Sequence, residues 1–220
     1  MKGAIFDFDG VIIDSCPLHG ACWKRISQGL QKPFSWEIFL RGFGVKNERF
    51  IKEMLQWSEN KEEIAQIIAD KEKLFHELLE KDGVSLVEGT LSLIQQLKEN
   101  KIPCAIGSSA VLENIEIVFS YHKELKPLFD AIVTADDVNE GKPDPEVFLI
   151  AAKKLQIEPT SCVVFEDAPL GIEAASRAGM TSVAITTTFP KEVLEEIKPD
   201  LLVDSLDDPS VLKLFTSELS

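Results

Sequence analysis

The chain is poor in several kinds of residue and pattern. It has four cysteines with no Cys-x-x-Cys spacing, one tyrosine, three histidines, and no internal repeat or low-complexity tract. Cys104 and Cys162 sit inside apolar runs, where a thiol behaves as a small buried hydrophobe, so neither a zinc site nor a disulfide framework is expected. No run approaches the roughly 18 apolar residues that span a bilayer. Positive charge is scarce, with 23 Lys and Arg against 37 Asp and Glu for a formal charge of -14. Such a surface repels nucleic acid and anionic membranes, and neither is an expected partner. The opening stretch from Met1 to Asp7 has neither the length nor the small-residue cleavage site of a secretory leader, so the cytoplasm is the expected compartment. At 45% apolar and 27% charged, 220 residues can bury a full core.

The most informative feature present is the run Ile5-Phe6-Asp7-Phe8-Asp9-Gly10-Val11, where an apolar strand ends in two carboxylates two residues apart. In an open α/β sheet, a strand's last side chain reaches the C-terminal edge, where ligands bind. A carboxylate there can attack phosphorus or carbon, or hold a divalent cation. Asp9 could reach the same atom from the other side as an acid or base. Phe8, between them, should turn into the core.

Hydrophobic spacing divides the chain. Residues 2 to 7 read as a strand and 8 to 14 as a turn or small flap. From 15 to 82 only helical spacing occurs: Cys22, Trp23, Ile26, Leu30; then Phe50, Met54, Leu55 with Trp57; then Ile64, Ile67, Ile68, Lys71, Leu74, Phe75, Leu78 and Leu79. This is an all-helical insert, with residues 1–14 and 83–220 forming a discontinuous core. After Gly83, strands are expected at 102–106, 131–134, 162–165, 181–186 and 201–203, the last two as outer strands. Helices are expected around 91–98, 112–119, 145–155, 171–178 and 208–214. Right-handed crossovers then give a Rossmann-like parallel sheet with helices on both faces.

Four ordered stretches, Asp7 to Ser15, Ile106-Gly107-Ser108-Ser109, Gly141-Lys142-Pro143-Asp144-Pro145, and Val164-Phe165-Glu166-Asp167 followed by Gly171-Ile172, resemble the signatures of the haloacid dehalogenase-like hydrolase superfamily. With its helical cap the chain resembles the β-phosphoglucomutase-like branch, mostly small-molecule phosphatases with a few phosphohexose mutases. The resemblance implies a monomeric enzyme acting on a small phosphate ester. Asp7 would be the nucleophile that forms an aspartyl phosphate, and Asp9 the acid and then base. Lys142 would touch both nucleophile and phosphate. Presence of Asp9 argues against carbon–halogen and phosphonate cleavage, since those relatives lack this pair.

Each position also has a bland reading. Ser108 could cap a helix as well as meet a phosphoryl oxygen, since a helix N-terminus favours anions. Ser109 and Asn114 could join it at the phosphate. Lys142 could be a solvated lysine, although flanking Gly and Pro fix its loop. Glu166 and Asp167 could form a solvated loop, but a buried strand running into two acids is costly without a cation or hydrogen bonds. Mg²⁺ takes oxygen ligands and keeps several waters. Side chains of Asp7 and Asp167 with the carbonyl of Asp9 would give it a half-shell, and Glu166 would act directly or through water.

In the insert, His19 and Trp23 share a helix face. They match a histidine and tryptophan near the sugar in mutase-type relatives, Lys71 matches a cap lysine that reaches the substrate, and Arg41-Gly42 fits the specificity loop. Trp23 could equally be cap core. The expected mutase arginine for a distal phosphate is missing after Arg41-Gly42; Lys46 and Arg49 are imperfect substitutes, because ammonium and guanidinium differ at a bidentate site. The Lys-Asn pair that mutases place after the serine is also missing. The expectation is a Mg²⁺-dependent phosphatase of sugar or polyol phosphates. The alternatives are a mutase or a non-catalytic binding protein on the same fold.

Overall fold

In the computed structural model, which describes residues 1–216, the chain forms a parallel six-stranded sheet with a helical insert after the first strand. The order of elements is β1 (Gly3–Phe6), α1 (Cys16–Leu30), α2 (Trp36–Arg41), α3 (Asn47–Arg49) running into a π-helical turn (Phe50–Met54), and α4 (Lys61–Asp82). The remainder is α5 (Thr90–Glu99), β2 (Cys104–Gly107), α6 (Leu112–Tyr121), β3 (Ala131–Val133), α7 (Glu146–Leu155), β4 (Cys162–Glu166), α8 (Pro169–Arg177), β5 (Thr181–Ile185), α9 (Lys191–Ile197), β6 (Leu201–Val203) and α10 (Pro209–Thr216). No helix is long and apolar enough to cross a membrane among the described residues.

The sheet order is β3-β2-β1-β4-β5-β6, with every pair parallel. The chain builds outward from β1 in one direction, then returns to build outward in the other. The C-terminal ends of β1 and β4 therefore flank the point where the direction reverses, where such sheets open a crevice. Strand residues alternate between faces. Ala4, Phe6, Cys104, Ile106, Val163 and Phe165 pack with α5, α6 and α10, whereas Ile5, Ala105, Cys162 and Val164 pack with Val147, Phe148 and Ala151 of α7 and Ala174 and Ala175 of α8. Phe6 and Phe165 stack at 4.5 Å. Burying side chains of this size contributes roughly 1.5–3 kcal/mol each, which holds the strand ends in register.

Local sequence explains the insert's long helix. Asn60 Oδ1 accepts the N–H groups of Glu62 and Glu63 at 2.9 and 3.1 Å, acids occupy the first turn and Lys81 the last, and Gly83 at φ +71° ends it. Its buried face carries Ile64, Ile67, Lys71, Leu74, Phe75 and Leu79, so a lysine lies on an apolar stripe. Trp23, Phe39, Phe43, Phe50 and Trp57 form the insert's aromatic core and continue onto Ala168, Ile172 and Phe189 of the sheet domain. The two connecting segments run side by side, with Asp14 N–H donating to Ser85 O at 2.9 Å.

Several expectations need correcting. The expected helix through Phe50 and Trp57 is instead α3 and a π-helical turn that ends at Met54, and Gln56 adopts φ +53° ahead of Trp57. β5 is an inner strand, since β6 pairs along its far side. α2 and α9 were not expected from spacing: both are short, and each buries a single residue, Phe39 and Leu194. Pro145 precedes α7 rather than opening it. Phe8 turns inward as expected and meets Phe119 edge-on at 6.3 Å.

Candidate active site

Asp7 follows β1 and its N–H donates to Phe165 O at 3.0 Å, which ties it to β4. Its carboxylate Oδ1 lies 2.9 Å from Lys142 Nζ, and that ammonium also lies 2.5 Å from Glu166 Oε1. Lys142 comes from the loop after β3 and is fully buried, with Phe148's ring 4.9 Å from Nζ. The other oxygen of Glu166 accepts from the N–H groups of Asp167 and Ala168 at 3.1 and 3.2 Å. Both Glu166 oxygens are therefore engaged, one by Lys142 and the other by the turn into α8.

Asp167 is the contrast. It is fully buried, and among the described residues no donor meets either of its carboxylate oxygens in good hydrogen-bond geometry, the nearby Thr188 hydroxyl only partly offsetting its burial. Leaving an ionised carboxylate so is costly unless a cation takes the place of water. Asp7, Glu166 and Asp167 each offer an oxygen within 4.8 Å of the others. An all-oxygen set of buried carboxylates suits a hard divalent cation such as Mg²⁺. Gly10 leaves the space beside it: a Cβ there would lie 1.9 Å from Asp167 Oδ2. Burial, with Glu166 and Asp7 nearby, pushes the Asp167 carboxyl well above its ordinary value, and burial raises Asp7 against the pull of Lys142. Burial likewise pushes Glu166 up to about 7 although Lys142 opposes it.

Asp9 turns its side chain away from that cluster toward the insert. Its Oδ1 accepts from Ser15 Oγ at 2.5 Å and lies 3.1 Å from His19 Nε2. Burial acts to raise its carboxyl, but His19 first, then Ser15 and Lys71, hold it below the ordinary value. His19 is fixed by stacking on Phe75 at 4.3 Å. The expected acid or base thus sits where the chain passes from β1 into the insert, in contact with the insert's first helix.

Ser108 follows β2, is buried, and does not cap a helix, since α6 begins only at Leu112; its Oγ accepts the Ala110 N–H at 3.1 Å and supports the turn. Ser109 Oγ donates to Gly44 O of the insert at 2.7 Å. Asn114 is held by α4, its Oδ1 2.7 Å from His76 Nε2 and its Nδ2 2.9 Å from Glu72 Oε2. Asp7, Asp9, His19, Trp23, Gly42, Lys71, Ser108, Ser109 and Asn114 all line one cavity of about 60 Å³. Pockets that hold drug-sized ligands run to ~300 Å³ or more, so the cavity as it stands is narrow for a molecule of that size. Gly42 is required there because a Cβ would meet the Phe50 ring at 2.3 Å.

Arg41 is exposed and lines a different cleft, with Val45, Arg49 and Phe189. Lys46 Nζ donates to Val138 O at 2.9 Å, and Arg49 pairs with Glu53 at 2.8 Å; neither lines the cavity. Sequence reasoning missed Asn47, Phe43 and, above all, Glu72, an acid next to Lys71 that joins Asp7 and Asp9 in the cavity wall. Its one signal was adjacency to a lysine on an apolar stripe.

Comparison with known proteins agrees with this geometry. Residues 4–185 match the family model described as haloacid dehalogenase-like hydrolase. The chain is 34% identical over 215 residues to the chloroplastic 5-amino-6-(5-phospho-D-ribitylamino)uracil phosphatase of Arabidopsis thaliana, covering 96% of this chain and 56% of that protein. It is 32% identical over 216 residues to hexitol phosphatase A of Escherichia coli, covering 96% and 94%. The crystal structure of β-phosphoglucomutase from Clostridium difficile superimposes with a TM-score of 0.86 at 26% identity, covering 100% of this chain and 99% of that one.

Proposed function

The chain belongs to the haloacid dehalogenase-like hydrolases, and from that premise we propose that it is a Mg²⁺-dependent phosphatase of sugar or polyol phosphates working through an aspartyl phosphate. The observation that carries the reading is the pairing of Asp7, neutralised by Lys142, with an Asp167 whose buried oxygens meet no donor in good geometry among the described residues. Asp7 attacks phosphorus in line while Lys142 and the Ser108 turn face the equatorial oxygens. Asp9, on the leaving-group side, is held ionised by His19, Ser15 and Lys71; it must first take up a proton, which it gives to the departing alkoxide, and the proton it later takes from the hydrolytic water restores it for the next turnover. His19 and Ser15 orient it for both steps. Asp7 and Asp167, with Asp9 O, would hold Mg²⁺, which supplies charge neutralisation at the phosphoryl group. The closed insert excludes bulk water, and its aromatic walls and polar groups select the leaving group.

Phosphatase is favoured over mutase by the fate of the cationic residues. Lys46 and Arg49 are committed outside the cavity, and Lys71, inside it, is paired with Glu72 at 2.9 Å. No unpaired Lys or Arg remains among the cavity-lining residues described to grip a second phosphate. The related phosphatases named above act, by their names, on ribityl and hexitol phosphates, which suits a polyol leaving group.

The test has two arms. Phosphate release from p-nitrophenyl phosphate should need Mg²⁺, stop with chelator, and vanish in Asp7→Asn, which keeps its fold by thermal melting. With β-glucose 1-phosphate and a trace of its 1,6-bisphosphate, phosphorus NMR should show inorganic phosphate ahead of glucose 6-phosphate. Isomerised product accumulating first would give the mutase reading instead.

A further inference from the structure

We infer that Glu72 is a specificity-determining residue that rejects substrates carrying a second phosphate and accepts a hydroxyl of a neutral polyol leaving group; this rests on the phosphatase reading above. Glu72 follows Lys71 on α4 and lines the same cavity as Asp7 and Ser108. Its Oε1 accepts from Asn47 Nδ2 at 2.7 Å and from Lys71 Nζ at 2.9 Å, and its Oε2 accepts from Asn114 Nδ2 at 2.9 Å. These three donors come from α3, α4 and α6, so one carboxylate gathers the polar groups of both the insert and the sheet domain. Burial acts to raise the Glu72 carboxyl, yet Lys71, Asn114 and His19 hold it below its ordinary value. It is therefore ionised at neutral pH.

Two consequences follow. An anion entering this end of the cavity finds its donors occupied by another anion, and the single ammonium there already neutralised. A second phosphate would have to displace Glu72 or lie beside it, in a buried setting where like charges repel strongly. Conversely, a carboxylate has about four lone-pair directions, and the described hydrogen bonds use three of them. The open direction on Oε2 can accept a hydroxyl hydrogen. A site that hydrogen-bonds a substrate hydroxyl discriminates strongly against a ligand that lacks it, because its buried acceptor is then unpaired. The aromatic rings of Trp23, Phe39, Phe43 and Phe50 complete this end of the cavity and suit the C–H faces of a carbohydrate chain.

The experiment is competition against p-nitrophenyl phosphate hydrolysis in the full-length chain with Mg²⁺, using fructose 1-phosphate and fructose 1,6-bisphosphate as inhibitors. In the wild type the monophosphate should bind at least about tenfold more tightly than the bisphosphate. Glu72→Gln leaves Lys71 unpaired and should shift the ratio of the two inhibition constants about tenfold toward the bisphosphate. Lys71→Ala should shift it in the opposite direction. Ratios taken within one variant cancel any loss of folded protein, and opposite signs from neighbouring residues exclude a general packing effect. A ratio unchanged in Glu72→Gln, a wild type with no preference, or failure of both sugar phosphates to compete would overturn the inference. Failure of the wild type to hydrolyse p-nitrophenyl phosphate would instead overturn the phosphatase reading.

Discussion

Lys142 Nζ lies 2.5 Å from Glu166 Oε1 in a fully buried ion pair, and the same ammonium reaches Asp7. One cation therefore balances an acid that positions it and an acid that reacts. Replacing it with the apolar Lys142→Met leaves carboxylates buried without compensation, a change that typically costs about 3–5 kcal/mol. Denaturant unfolding of the chelated variant should show a loss of that order. Activity should fall to background, because Asp7 is no longer neutralised for attack on an anionic phosphate. A variant with wild-type stability would show that water already screens the cluster.

Asp167 should behave differently from Lys142. Among the described residues neither of its oxygens meets a donor in good geometry, Thr188 offsets its burial only in part, and its charge is opposed by Glu166 and Asp7. Asp167→Asn should raise the melting temperature of the metal-free protein while weakening Mg²⁺ binding by at least about tenfold, as loss of an anchoring ligand does. Calorimetric melts in chelator and Mg²⁺ titration measure the two effects independently. Stability lost in chelator would mean that the carboxylate is satisfied in some way other than by a cation.

The pH dependence of stability has a definite sign. Glu166 rises from 4.5 to about 7 on folding, and Asp167 rises well above 3.8. Between those limits the folded state binds more protons than the unfolded state, so stability falls as pH rises. Lys142 is also raised, but from 10.5, and so acts only at alkaline pH. Depressed carboxyls such as Asp9 and Glu72 act in the opposite sense, at pH below their ordinary values of 3.8 and 4.5. Metal-free protein should therefore lose stability from pH 4.5 toward about 7, and saturating Mg²⁺ should flatten that slope. Melts across the interval with and without Mg²⁺ check both parts.

Glycine at position 10 is required twice over. Its φ is +80°, and a Cβ would sit 1.9 Å from Asp167 Oδ2 and 2.4 Å from its Cγ. Gly10→Ala should displace Asp167, raise the Mg²⁺ concentration needed for half-maximal rate by about tenfold or more, and lower kcat/KM. Gly179→Ala is the control, since its φ of +70° is similar but no atom lies within 4 Å of its Cβ. That variant should lose about 1 kcal/mol of stability with an unchanged Mg²⁺ requirement. Equal Mg²⁺ requirements in both would mean that backbone strain alone explains Gly10.

The sheet, the helical insert and the acids at strand ends are all legible in the amino-acid sequence. Each of these rests on a local pattern: short apolar runs that stop at Asp7 and at Glu166-Asp167, helical spacing from Cys16 to Asp82, and a lysine displaced onto an apolar stripe at Lys71. Such patterns survive any tertiary arrangement, because burial imposes periods of two and 3.6 residues on whatever lies at the interface. Weak local signals were not legible: α9 buries only Leu194, and the turn from Phe50 to Met54 is shaped by aromatic packing around Gly42 rather than by propensity. What the polar groups do to one another follows from the folded arrangement. It paired Asp9 with His19 of α1 and engaged both oxygens of Glu166, while among the described residues those of Asp167 meet no donor in good geometry. It sent Arg41 to a separate cleft, and it placed Glu72 at the meeting point of three helices. Hydrophobic burial depends on composition and period. The state of a carboxylate depends on the donors within about 3 Å, and here those donors come from segments far apart in the chain.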